Sequence, residues 1–81
     1  MQAQIDLEFH PDTVHPDDSV RTFVAPWPAI KWAYTGATGS AGWPVYSFTG
    51  PPADIQAFLL KFAQGDPEIA ALYAIDVVSV P

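Results

Sequence analysis

The sequence contains no cysteine. That excludes a disulfide framework, thiolate chemistry and cysteine-ligated zinc, so apolar burial has to hold the fold together. Fixed positive charge is nearly as scarce. Arg21, Lys31 and Lys61 stand against nine Asp and Glu, for a net charge of -6. So few cations cannot neutralise a phosphate backbone, and neither direct nucleic-acid binding nor adhesion to an anionic membrane is expected. Long apolar runs are missing too: no stretch approaches the ~20 residues that a membrane-spanning helix requires. The opening MQAQIDLEFH has neither the basic region nor the apolar run of a signal peptide. A soluble, cytoplasmic protein is the expectation.

What is present points to a small folded unit. The length of 81 residues predicts one domain, residues 1–81, near the size at which a single core just suffices. The composition, 49% hydrophobic and 15% charged, is that of a globular chain. Nine prolines and five glycines keep its regular elements short. From Thr22 to Ala53 there is one charge, Lys31, and seven of the eleven aromatic residues: Phe23, Trp27, Trp32, Tyr34, Trp43, Tyr46 and Phe48. This stretch supplies either most of the core or an adhesive surface.

Residues 4–10 alternate, with Ile5, Leu7 and Phe9 on one side and Gln4, Asp6, Glu8 and His10 on the other. That is a half-buried strand, ended by Pro11. Residues 15–25 favour a short helix. Pro16, Asp17 and Asp18 make a helix start, and Val20, Phe23 and Val24 share a helical face. The β-branched Val20, Thr22 and Val24 at period two also suit a strand. A hairpin is expected next, from Ala29–Thr35, the small-residue loop Gly36–Gly42 and Trp43–Thr49. Pro44 belongs at a strand start or an unpaired edge.

Ile55, Phe58, Leu59 and Phe62 form an apolar stripe that predicts a helix beginning at Pro52 and stopped by Gly65 at C′. Asp66-Pro67-Glu68 restarts a short helix with Asp66 as N-cap, and Ile75–Val80 reads as a closing strand. The order predicts an α+β fold: a small antiparallel four-stranded sheet with one main helix packed on one face. It matches the split βαβ, or ferredoxin-like, pattern with a reduced first helix. A four-strand meander crossed by one helix is the alternative.

The duplicated His-Pro-Asp, at His10-Pro11-Asp12 and His15-Pro16-Asp17-Asp18, brings imidazoles and carboxylates close together in sequence. Those donors suit several transition metals, but proline followed by aspartate is also turn and helix-start chemistry, so no metal or cofactor is expected. The tripeptide resembles the signature of chaperone J-domains over three residues only, without that family's helical, basic context. Ser19, Ser40, Ser47 and Ser79 sit in no nucleophile pattern. Gly36, Gly39 and Gly42 are followed by no phosphate-binding lysine. The chain is expected not to be an enzyme.

The remaining expectation is a protein-binding module. Asp6, Glu8, Asp12, Asp17 and Asp18 precede the first basic residue and would favour a partner with a basic surface. Trp27 and Trp43, each beside a proline, and Tyr46 are candidates for an exposed aromatic patch. Small size, acidity and the lack of catalytic groups resemble the general profile of phage-encoded antagonists of host defence, anti-CRISPR proteins among them. That resemblance implies an inhibitor occupying a nucleic-acid-binding surface of a host protein. The alternative is an assembly protein that self-associates through its aromatic hairpin, giving a homo-oligomer.

Overall fold

A computed structural model describes residues 1–10 and 16–81. Pro11, expected to end the first strand, and the candidate residues Asp12 and His15 lie outside the described residues. The elements run β1 (Gln2–Glu8), α1 (Pro16–Val24), β2 (Lys31–Thr38), β3 (Pro44–Gly50), α2 (Pro52–Phe62), α3 (Pro67–Ala74) and β4 (Val78–Val80). The strands form one four-stranded sheet in the order β2-β3-β1-β4, and every neighbouring pair is antiparallel. The fold is therefore α+β, with three helices among the described residues rather than one main helix. Among the described residues no helix is long and apolar enough to cross a membrane.

Alternation along the strands decides the two faces of the sheet. Ile5 pairs with Phe48 and Leu7 with Tyr46. Trp32 and Tyr34 pair with the same two β3 residues from the other side. Ile5, Leu7, Tyr46 and Phe48 are buried, and this face receives the helices. Ile55, Phe58 and Leu59 of α2 are buried against it, as the stripe predicted. Phe58 sits at the centre, with ring centroids 4.6 Å from Phe48 and 5.6 Å from Phe23.

α1 is a helix because Val20, Phe23 and Val24 reach the core together. Val20 and Val24 are buried and Phe23 packs against them, whereas Thr22, which a strand would have turned the same way, is exposed. It spans nine residues, so the first helix is not reduced to almost nothing. β2 runs past the expected end at Thr35. A bulge with Gly36 at φ 84° lets the strand continue to Thr38. Thr35 Oγ1 accepts from Ala37 N and donates to Val45 O across the break. The expected small-residue loop Gly36–Gly42 thus shrinks to a tight turn, closed by Gly42 N–H donating to Gly39 O.

Two further boundaries differ from expectation. Gln64, not Gly65, takes the C′ position after α2. Its φ is 58°, its N–H donates to Lys61 O, and Gly65 N–H donates to Leu60 O. That is the paired hydrogen bonding of a Schellman motif. β4 begins at Val78 rather than Ile75, because the helical turn of α3 carries on until Val77 N–H bonds Ala74 O. Asp66 caps α3 as expected, accepting from Glu68 N and Ile69 N.

Candidate interaction surface

The same alternation divides the predicted site residues between the two sides of the molecule. Asp6 and Glu8 stand on the face of β1 opposite Ile5 and Leu7, the side that no helix of the described residues covers. Asp6 is exposed and Glu8 half-buried. Trp43 precedes β3 in the same phase as Val45 and Ser47, and 38% of it is exposed. His10 meets it edge-on, with ring centroids 4.6 Å apart. Asp6, Glu8 and Trp43 therefore share one side.

Glu8 is already engaged there. Its carboxylate accepts from Ser40 N at 2.9 Å, Ser40 Oγ at 3.4 Å and Ala41 N at 3.3 Å. Gly39 makes this possible: a Cβ at that position would stand 1.8 Å from the Glu8 carboxyl carbon. The β2–β3 turn is thus a small anion cradle filled by the protein's own side chain. Glu8 serves the fold, which leaves Asp6 as the outward acid of β1.

The other candidates lie on the helix side. Tyr46, expected in an exposed patch, is only 2% exposed, because its strand position turns it under α1. Its hydroxyl donates to Asp17 Oδ1 at 2.6 Å. Burial, followed by that bond to a carboxylate, pushes the phenol up to about 12. Asp17 accordingly holds α1 to the sheet. Asp18 pairs at 2.6 Å with Arg21 one turn on, and Arg21 reaches over the Trp32 ring. Trp27 is half-buried, edge-on to Phe58, with Lys61 Nζ 5.6 Å from its ring. The turn after α1 tucks it in: Trp27 N–H donates to Val24 O, and Ile30 N–H donates to Trp27 O. The expected patch of Trp27, Trp43 and Tyr46 does not assemble. Within the hairpin Phe48 is fully buried, but Tyr34 is 53% exposed because β2 is the sheet edge.

One surface escaped sequence reasoning. α3 has no buried residue, yet residues 69–75, IAALYAI, carry no charge. A helix apolar all round is ordinarily enclosed. Here Ile69, Leu72 and Ile75 are 43%, 65% and 77% exposed. The alanine side of α3 turns to α2 instead, and an apolar groove of about 700 Å³ runs between them over Ala3. The missing polar face was the available signal.

Among the described residues no group of three or more His, Asp or Glu gathers into a metal-binding cluster. The side chains at hand can form contacts of charge and apolar area. Comparison with protein-family models, with curated proteins and with solved structures finds no match to this chain.

Proposed function

We propose that this protein is a non-enzymatic protein-binding module whose contact surface is the uncovered face of the sheet. The observation that carries the reading is the placement of Asp6 and Trp43 on that one face, which no helix of the described residues covers. An outward carboxylate on the same face as a surface indole, two rungs of the ladder away, suits a partner presenting a basic patch with an apolar neighbour. The excess of nine acids over three bases supports the same partner and would speed encounter with it. A nucleic-acid-binding groove is such a surface. In this reading the module is an inhibitor that excludes nucleic acid by occupying the groove, in the manner of a phage-encoded antagonist. A cytoplasmic setting belongs to the proposal, supported by a chain with no cysteine.

The architecture fits this reading. We take the strand order β2-β3-β1-β4, with helices between β1 and β2 and between β3 and β4, as a split βαβ arrangement to which α3 is added. Such a sheet keeps one face free for docking. The test is to immobilise the wild-type chain and the double variant Asp6→Lys with Trp43→Ala, and compare what each retains from an extract of the source cells. A protein held by the wild type, eluted by raised salt and absent from the variant is the expected result. Retention indifferent to both substitutions overturns the proposal.

A further inference from the structure

Burial stops abruptly along the chain. Every buried apolar side chain among the described residues lies between Ala3 and Ala63. Residues 64–81 contain none, although they hold α3 and the fourth strand of the sheet. Only Ala70, Tyr73, Val77 and Val80 are half-buried there. Apolar burial is the main force that offsets the entropy of ordering a chain, so this segment is weakly held.

Its attachments are few and local. Tyr73 meets Phe62 edge-on at 5.1 Å. β4 lies against β1 through Gln2 with Val80, Ala3 with Ser79 and Gln4 with Val78. Between α2 and α3, where larger side chains would interlock, Ala70, Ala71 and Ala74 leave the groove of about 700 Å³. The Asp66 cap bonds Glu68 N and Ile69 N, so it belongs to α3 and not to the core. A single turn, closed by Val77 N–H donating to Ala74 O, couples α3 to β4. At the other end, Gln64 and Gly65 reverse the chain with φ of 58° and 82° just before that cap.

We propose that residues 66–81 form a strap that opens as one unit about the Gln64–Gly65 junction while the rest of the molecule stays folded. The most deeply buried side chains, Ile5, Val20, Tyr46, Phe48, Ile55 and Phe58, all belong to elements outside the strap. Opening changes the sheet itself. β1 lies between β3 and β4 when the strap is closed. With β4 withdrawn, the backbone of Gln2–Gln4 becomes an unpaired edge able to accept another strand, next to the apolar groove floor of Ala3 and Leu59. The strap therefore governs when that edge is presented.

Native-state hydrogen exchange of the full chain, read residue by residue by NMR at rising sub-denaturing urea, tests the assignment. Amides of α3 and β4 should be protected about a hundredfold less than those of β3 and α2, and should share one urea dependence. The β1 amides bonded to β4 should follow them. Tyr73→Ala removes the aromatic anchor and should speed exchange throughout the strap by about tenfold, leaving β3 and α2 amides unchanged. Equal protection of α3 and β3, with one urea slope for both, overturns the proposal. Unrelated rates and slopes in α3 and β4 overturn it as well, because the two elements then fray separately. So does a Tyr73→Ala chain that loses its near-ultraviolet dichroism, since the strap would then be part of the core's own cooperative unit. Asp6 and Trp43 lie outside the strap, so either proposal can fail alone.

Discussion

Tyr46 shows how one side chain can be core and polar anchor together. Its ring is buried, and its hydroxyl donates to a carboxylate, that of Asp17 on α1. Replacing it with phenylalanine keeps the packing and removes the bond. Urea denaturation at pH 7 should show a loss of about 1 kcal/mol, the ordinary net worth of such a bond. The alkaline range is more diagnostic. The phenol titrates at about 12 in the folded chain against 10.0 when unperturbed. Below pH 10 both states hold the proton and the contribution is fully present. As pH rises from 10 towards 12 the unfolded chain releases it first, so stability falls. Tyr46→Phe should flatten that part of the decline relative to the wild type. The sequence put Tyr46 on the returning strand of the hairpin but offered it as a surface residue. It did not show that α1 would lie above it, because the partner is 29 residues away.

At the scale of elements, periodicity was the reliable guide and boundaries were the weak point. The stripe Ile55, Phe58, Leu59 defined α2, and the alternation of Ile5 and Leu7 defined β1, since both patterns are written within a single turn or pleat. The end of β2 was not legible, because the bulge at Gly36 is held by a threonine hydroxyl reaching a carbonyl on the neighbouring strand. The end of α2 misled for another reason. Glycine is the usual C′ residue, but two consecutive residues here have positive φ, and Gln64 comes first. A residue with a Cβ is strained there, so Gln64→Gly should stabilise the chain by about 0.5–1 kcal/mol, after the greater freedom of glycine in the unfolded state is counted. A raised thermal midpoint with an unchanged denaturant slope is the expected readout. A lowered midpoint would show that the Gln64 side chain contributes more than its backbone strain costs.

The whole molecule rests on one aromatic centre. Phe58 touches Phe48 from the sheet, Phe23 from α1, Trp27 from the turn after it and Phe62 one turn along its own helix. Phe58→Ala should cost about 3–5 kcal/mol, a large share of what so small a domain has. Denaturant titration should place its midpoint far below that of the wild type; a loss under 1 kcal/mol would mean the centre can collapse around the gap. Of the candidate site, the sequence placed Asp6 and Trp43 on the surface. It could not separate them from Asp17, Asp18 and Trp27, because which layer a residue joins is decided by strand phase and helix docking across the whole chain.

The cradle that holds Glu8 has a consequence for how the sheet is selected. Ala3, Ile5, Leu7 and Phe9 are all apolar and all two apart, so sliding β1 by two residues along β3 would still bury an apolar side chain at almost every step. Hydrophobic alternation alone therefore tolerates misaligned sheets. The turn amides of Ser40 and Ala41 do not, because in a chain slipped by two they meet Asp6, whose arm is one carbon shorter, or the imidazole of His10 in place of a carboxylate. A single glutamate, reading a turn 32 residues further on, acts as the vernier that picks one alignment from a ladder of near-equals.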